Sequence, residues 1–184
     1  MSVYVFYGRM NPFTVGHEAA VRHMVSAARK NGARPVVILS HTVNANKNPL
    51  SVSHKMQIVK KVFPNINVIS TSKTNTITKV LNKFGSKNIK IFLGSNRFPQ
   101  FEFLEKYSPA VKRVQFGATR TNNGVSATKA RTAARSGSIN NFRKLVPSAL
   151  SNANLLNLMK VIRTKSTPAR PSSSRGATGS RARS

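Results

Sequence analysis

The residues best suited to bind phosphate lie in a loop near the start of the chain. This loop follows an apolar run at residues 3–7 and precedes an amphipathic run at residues 18–30, an order that predicts a strand, a loop and a helix. A helix N-terminus leaves N–H groups free and carries partial positive charge, so it favours phosphate. Thr14 and His17 stand three positions apart at that entrance, where a hydroxyl and an imidazole could both reach one phosphate. The alternative is that His17 only caps the helix.

Glycines are expected to shape the approach to this loop. Gly8 allows the chain to leave the strand sharply, and Gly16 allows a ligand to approach the backbone closely. The alternative for Gly16 is that it merely turns the chain. A third glycine, Gly94, directly follows a later, mainly apolar stretch at residues 89–93, which reads I-K-I-F-L.

Acidic residues are almost absent, which limits the chemistry that the chain can perform. The three acids are Glu18, Glu102 and Glu105, and the sequence contains neither aspartate nor cysteine. A thiolate nucleophile and a cysteine zinc site are therefore excluded, and the few acids disfavour a carboxylate cage around a metal. The four histidines show no metal-ligand spacing. We predict no protein metal site, and any Mg²⁺ should arrive mainly on the phosphates of a substrate.

The balance of charge indicates an anionic partner. The 31 Lys and Arg residues give a formal net charge of +28 at pH 7, which favours nucleic acid or another polyanion. The alternatives are a solvated surface and an acidic protein partner. Residues 164–184 are rich in Ser, Arg, Pro and Gly and lack acids, so we predict a disordered basic tail after a folded domain at residues 1–163. Such a tail could contact nucleic acid or only solubilise the chain.

Apolar and amphipathic runs alternate along the chain, and this predicts an α/β fold. The predicted strands are residues 2–7, 35–40, 66–69, 89–93 and 111–116, and the helices among them are residues 17–30, 52–62, 76–84 and 100–107. Later helices should follow an N-cap at Ser126 and cover residues 139–146 and 149–162. An open, mostly parallel five-stranded sheet binds ligands outside the carboxyl ends of its strands, where the strand order reverses. The loops at Gly8 and Gly94 are the candidates to flank that crevice.

The sequence offers no membrane-spanning or targeting segment. No apolar window approaches the roughly 18 residues that a span needs, and Arg9 and Pro12 interrupt the first apolar run. We expect a cytoplasmic, intracellular protein without a membrane partner, or one packaged in a virion or nucleoprotein particle.

Several stretches resemble motifs of the nucleotidylyltransferase superfamily. Residues 14–17 read T-V-G-H, similar to the T/H-x-G-H signature after the first strand, within a longer G-R-x-N-P-x-T-x-G-H match. Residues 125–131 read V-S-A-T-K-A-R, similar to I-S-x-T-x-x-R. Residues 94–97 read G-S-N-R where many relatives have G-S-D-R, and residues 47–51 resemble the basic segment after the second strand. The resemblance is closest to small bacterial and phage-type nicotinamide mononucleotide adenylyltransferases or cytidylyltransferase-like proteins.

The resemblance implies a Rossmann-like core and a reaction. A nucleoside monophosphate would pass from ATP or CTP, with Mg²⁺, to a phosphorylated small-molecule acceptor, and pyrophosphate would leave. The implied catalytic residues are Thr14, His17, Lys47 and Arg131, and the implied nucleotide-binding residues are Gly8, Arg9, Met10, Gly16, Gly94, Asn96, Ser126 and Thr128. His17 can act as a donor whether its ring is neutral or charged, but transition-state charge would favour the imidazolium form. Asn96 stands where relatives often carry aspartate, so it can hydrogen-bond to an acceptor but adds no charge.

The charge leaves a second hypothesis open, in which the same fold serves as a structural, nucleic-acid-binding protein of a virion or ribonucleoprotein particle. The motif residues favour the enzyme. The net charge of +28, the missing aspartate and the basic tail favour the structural protein. One chain could combine both roles.

Overall fold

A computed structural model describes residues 1–116 and 126–165 of the chain. Its centre is an open sheet of five parallel strands in the order β3-β2-β1-β4-β5. The strands are β1 (Val3–Gly8), β2 (Arg34–Leu39), β3 (Asn67–Ser70), β4 (Ile89–Leu93) and β5 (Val111–Gln115). This confirms the predicted Rossmann-like α/β class. Nearly continuous apolar runs form the inner strands because helices cover both faces of such a sheet.

Seven α-helices lie within the described residues. They are α1 (Val15–Lys30), α2 (Val52–Val62), α3 (Ile77–Asn82), α4 (Phe103–Tyr107), α5 (Ala127–Ser136), α6 (Ile139–Leu145) and α7 (Asn152–Lys165). The predicted helix at residues 100–107 is instead a short 3₁₀ turn, Pro99–Phe101, followed by α4. None of these helices has the length and apolar character needed to cross a bilayer.

The last helix corrects the predicted boundary of the tail. Thr164 and Lys165, which the sequence assigned to a tail, are the final residues of α7. Buried side chains at helical spacing hold this helix, and Arg163 and Lys165 in its last turn complement the negative end of its dipole. The rest of the predicted tail, and the predicted polar loop at residues 119–124, lie outside the described residues.

Alternate side chains of each strand enter two different cores. On one face, Tyr4 and Phe6 of β1 pack with α1, α2 and the three C-terminal helices α5, α6 and α7. On the other face, Val3 and Val5 pack with residues of α3 and α4. The larger core therefore joins α5 to the same side of the sheet as α1, which brings two of the predicted motifs to one face.

The strand order reverses between β1 and β4. Phe6 of β1 pairs in register with Phe92 of β4, so Gly8 and Gly94, each two residues further on, reach the same level at the carboxyl edge of the sheet. This is the position at which open parallel sheets bind their ligands. The crevice flanked by Gly8 and Gly94 is therefore where the site should be sought.

Candidate active site

The N-terminus of α1 is closed by a reciprocal cap between Thr14 and His17. The Thr14 hydroxyl accepts the His17 backbone N–H at 3.4 Å, and the His17 ring Nδ1 accepts the Thr14 backbone N–H at 3.1 Å. This is a capping box in which histidine takes the place usually filled by Glu or Gln. The cap also explains why α1 begins at Val15, two residues earlier than predicted. His17 does cap the helix, but only one of its ring nitrogens is used.

The cap fixes the protonation state of His17. Since Nδ1 accepts an N–H, the ring proton resides on Nε2, which is left as a hydrogen-bond donor. The ring stacks on the buried Phe13, with 5.8 Å between centroids. Burial first, and then the nearby Arg97 guanidinium, lowers the pKa of His17 to about 4. Burial therefore keeps the ring neutral in the resting protein. That transition-state charge favours the imidazolium form stays a prediction.

We expect this pKa to be visible in stability. An unfolded histidine titrates near 6.5 and the folded His17 near 4, so the unfolded chain takes up the proton first as the pH falls. The free energy of unfolding should therefore decrease on acidification between those two values. Thermal melts across this window, together with NMR titration of the ring, would measure it. His17→Gln, which lacks the titrating ring, should show a shallower decrease, and a ring pKa near its ordinary 6.5 would contradict the prediction.

The loop between β1 and α1 turns at a residue other than the expected one. Gly8 is simply the last residue of β1, and the residue with a left-handed backbone is Met10, at φ 46°. The Met10 side chain is buried in the core, so any contact between Met10 and a nucleotide would come from its backbone. Arg9 is exposed beside it. Gly16 lies exposed in the first turn of α1, where its backbone is open to a ligand.

Asn11 clamps this loop to the segment before α2. Its side chain accepts the Leu50 backbone N–H at 2.8 Å and donates to the Leu50 carbonyl oxygen at 3.0 Å. Both residues are buried. Asn11, the asparagine of the G-R-x-N-P match, therefore holds the basic segment at residues 47–51 against the loop between β1 and α1. The sequence alone did not predict this role.

Lys55 is a buried lysine that the sequence analysis missed. Its Nζ donates to the Arg9 carbonyl oxygen at 2.8 Å and to the Ser40 carbonyl oxygen at 2.5 Å, and its side chain is fully buried. Burial first, and then the charge of Arg9, lowers the pKa of Lys55 to about 8. A signal was present, because Lys55 shares the apolar face of α2 with buried Ile58, Val59 and Val62.

The second motif lies at the N-terminus of α5. Ser126 is the N-cap, as predicted, and its hydroxyl accepts the Lys129 backbone N–H at 3.1 Å. The buried Arg131 donates from Nη1 to the Asn11 carbonyl oxygen at 2.9 Å and from Nη2 to the Thr128 hydroxyl at 3.2 Å. The Arg131 guanidinium therefore joins the start of α5 to the loop between β1 and α1. Arg131 and Asn11 are 120 residues apart in sequence.

The turn after β4 contributes a further cation, Arg97. The Gly94 carbonyl oxygen accepts the backbone N–H of Arg97 at 2.9 Å, which folds the turn back. Asn96 is exposed in this turn, and a side chain added at Gly94 would meet open space. Arg97 is half-buried and close enough to His17 to lower the pKa of that ring. Arg97 belongs to a predicted motif, but its residue type and spacing alone predicted no role for it.

Four cations thus converge at the carboxyl edge of the sheet. They are Arg9, Lys55, Arg97 and Arg131. Burial is the largest cause of the lowered pKa values of Lys55, Arg97 and Arg131, and the positive charge of Arg9 lowers all three further. The charge of Arg135 lowers the pKa of Arg131 more than the charge of Arg9 does. The ion pairs among the described residues are Arg22 with Glu18 and Arg113 with Glu105, so no carboxylate neutralises this cluster. Uncompensated cations beside a helix N-terminus form a site for a multiply charged anion.

Lys47 lies on an anchored loop at the margin of the cluster. The Asn44 side chain accepts the Lys47 backbone N–H at 2.7 Å, and Arg135 of α5 donates to the Asn46 carbonyl oxygen at 2.5 Å. The Lys47 side chain is exposed. The structure therefore brings the loop of Lys47 beside α5 but leaves its ammonium group in solvent.

Comparison with known proteins gives the chain relatives of the same architecture. The sequence model of the cytidylyltransferase-like family matches residues 5–133. A nicotinic acid mononucleotide adenylyltransferase from Plasmodium falciparum, in complexes with APC and with NaAD, superposes with TM-scores of 0.57 and 0.59 at 14% and 13% identity, covering 86% of this chain and 94% and 95% of the other. Thermotoga maritima TmcAL bound with alpha-thio ATP superposes with a TM-score of 0.52 at 13% identity, covering 89% of this chain and 56% of that one. At these identities the structural likeness is one of fold. No curated protein sequence matches the chain.

Proposed function

Because this chain belongs to the cytidylyltransferase-like family, we propose that it is a nucleotidylyltransferase. It transfers a nucleoside monophosphate from ATP or CTP to a phosphorylated small-molecule acceptor and releases pyrophosphate. The observation that supports this most is the cluster of Arg9, Lys55, Arg97 and Arg131 beside the start of α1, with no carboxylate partner in the described part of the chain. A nucleoside triphosphate carries the several negative charges that such a cluster lacks.

The proposed reaction needs no covalent nucleophile from the protein. An oxygen of the acceptor's phosphate attacks the α-phosphorus, the bond from that phosphorus to the β-bridging oxygen breaks, and pyrophosphate leaves with the electron pair. Catalysis is then positioning together with donors aimed at charge that grows on phosphate oxygens. His17 donates a hydrogen bond from Nε2–H to an α-phosphate oxygen, and the free backbone N–H groups at the start of α1 donate to the same phosphate. Ser126, Thr128 and Arg131 hold the β- and γ-phosphates.

The other proposed contacts to the nucleotide come from Lys47, from backbone groups and from Mg²⁺. Lys47 supplies a mobile cation from its loop, and the backbones at Gly8, Met10, Gly16 and Gly94 line the nucleotide. Mg²⁺ enters as part of the metal–nucleotide substrate, because the described residues contain no group of three potential ligands and Glu18 and Glu105 are already paired with arginines. Positive side chains and a substrate-borne ion then share the charge of the triphosphate.

The nucleotide and the acceptor are proposed from different relatives. The family description favours CTP, whereas the neighbours described with alpha-thio ATP and with nicotinic acid mononucleotide adenylylation favour ATP. A mononucleotide of the nicotinamide type is therefore the first acceptor to test. Asn96, exposed after β4, is the residue proposed to hydrogen-bond to it.

Nucleotide-specific stabilisation is the expected result of a direct test. The melting temperature is measured with Mg²⁺ and ATP, CTP, GTP, UTP or tripolyphosphate, and pyrophosphate release is assayed with a panel of phosphorylated acceptors. Ligand at about a hundred times its dissociation constant should stabilise the fold by about 2.7 kcal/mol. One nucleotide should exceed tripolyphosphate, which controls for simple attraction of polyanions to a chain this basic. Equal shifts with every polyanion and no pyrophosphate release would reject the transferase.

The charge of the chain supports a second candidate function. A net charge of +28 with three acids favours binding to nucleic acid through phosphate neutralisation, as in a structural protein of a virion or ribonucleoprotein particle. Two different experiments distinguish the two functions. Turnover with a defined acceptor supports the enzyme, and salt-dependent nucleic-acid binding that survives His17→Ala supports the second function.

A further inference from the structure

A basic groove lies away from the active site, between the second half of α1 and the chain that leaves α2. Its volume is about 400 Å³. The cationic side chains that line it are Arg22, Arg29 and Lys30, and its apolar lining includes Phe63, Pro64 and Ile66. A cation-lined groove with an apolar floor suits a ligand that alternates charged and apolar parts.

The end of the groove formed by Arg29 and Lys30 and the active-site crevice lie at opposite edges of the sheet. α1 starts after β1 at the carboxyl edge and ends before β2 at the amino edge, as a crossover helix between parallel strands must. Arg29 and Lys30 occupy its last turn. A ligand bound at Arg29 and Lys30 would therefore lie at the edge of the sheet opposite the nucleotide crevice.

The charge of the groove is only partly neutralised. Arg22 lies 5.1 Å from the centroid of the Phe63 ring and donates to Glu18 at 3.4 Å. Glu18 offsets one positive charge, and the carbonyl ends of α1 and α2 add partial negative charge. This negative charge is outweighed by exposed cations in the last turns of α1 and α2, namely Arg29, Lys30, Lys60 and Lys61. The balance at this edge is strongly positive.

We infer that this groove binds the phosphodiester backbone of single-stranded nucleic acid. The cations of α1 meet phosphates along one wall, while Pro64 and Ile66 on the opposite wall accommodate the apolar edges of the sugars. A concave groove between two helices admits one strand in preference to a rigid duplex. The inference rests on the second candidate function and gives it a location. It is independent of the proposed transfer reaction.

The test compares two variants with the same net charge. The groove variant is Arg22→Gln/Arg29→Gln/Lys30→Gln. The control variant is Lys79→Gln/Lys83→Gln/Lys87→Gln, which changes exposed residues on and after α3, across the sheet. Affinity for a fluorescent oligothymidylate is measured at several salt concentrations, because each phosphate contact contributes about 0.7 to the logarithmic salt slope for single strands.

The groove variant should reduce the magnitude of that slope by about 2 and weaken binding at 0.1 M salt about 100-fold. The control variant should change both far less. Lys30→Gln alone, which threatens the fold little, should weaken binding about fivefold. Equal losses in the two triple variants would overturn the groove while leaving general nucleic-acid binding intact. No binding by the wild type would overturn both, and neither result would bear on pyrophosphate release.

Discussion

Replacing His17 by glutamine should lower the rate of pyrophosphate release about 10²–10³-fold, the usual cost of removing one donor to transition-state charge. The melting temperature should change little. Glutamine at this position completes a Thr-x-x-Gln capping box, in which its side-chain oxygen can accept the Thr14 backbone N–H as the His17 ring does at 3.1 Å. What glutamine lacks is the Nε2–H, which the structure leaves available for a substrate. The variant therefore separates the capping role of His17 from its proposed catalytic role.

Two companion variants sharpen this result. His17→Ala removes both the cap and the donor, so it should lose activity to the same extent and in addition about 1 kcal/mol of stability. His54 occupies the same position after the N-cap Ser51 of α2, with its ring Nδ1 3.0 Å from the Ser51 hydroxyl. His54→Gln should leave the rate unchanged. Full pyrophosphate release by His17→Gln would mean that His17 only caps the helix.

Lys55→Met should lower the free energy of unfolding by about 2–4 kcal/mol, since an unpaired buried polar group costs about 1–3 kcal/mol. Methionine keeps the apolar stem packed, but the carbonyl oxygens of Arg9 and Ser40 both lose their donor. Relief of the buried charge offsets part of the loss. For a chain of this size the melting temperature should fall by roughly 5–15 °C.

Denaturant unfolding at neutral pH measures the effect of Lys55→Met. Lys60→Met is the matched control, because Lys60 is exposed on the same helix and its replacement should change stability little. Triphosphate affinity should also decrease in Lys55→Met, since the loop that carries Arg9 loses its hydrogen bond to α2. A variant as stable as the wild type would show that burying this charge costs as much as its two hydrogen bonds contribute.

The fold could be predicted because each strand and helix has a recognisable pattern of apolar and polar residues within a short stretch of sequence. Residues 89–93 place four apolar residues around Lys90, and Gly94 follows them, so both the strand and its place beside the crevice were predictable. The start of α1 at Val15 was predicted two residues late. A capping box usually has Glu or Gln three residues after the N-cap, and here His17 takes that position. That error concerns one bond and leaves the architecture unchanged.

The interior of the site depended on contacts between distant segments. Asn11 and Leu50 are 39 residues apart, and Lys55 donates to carbonyls from two other parts of the chain. No spacing rule identifies which backbone oxygen a buried cation will find. The position of Lys55 on the apolar face of α2 marked it as unusual, but only the tertiary structure identifies its partners. The same holds for Arg131, whose motif predicted a phosphate contact and whose structure adds a bond to Asn11.

Two cations of the site, Lys55 and Arg131, and the neighbouring Arg135 are held in place by neutral acceptors. Lys55, Arg131 and Arg135 all donate to backbone carbonyl oxygens. Carboxylates that lose their charge are the usual cause of acid unfolding, and here such links are few, with three acids in the whole sequence. Acidification also adds little new charge to a chain that is already at +28. Apart from the contribution of His17, the fold should therefore tolerate acid well, and it should be more sensitive to low ionic strength, where its own positive charges repel each other without screening.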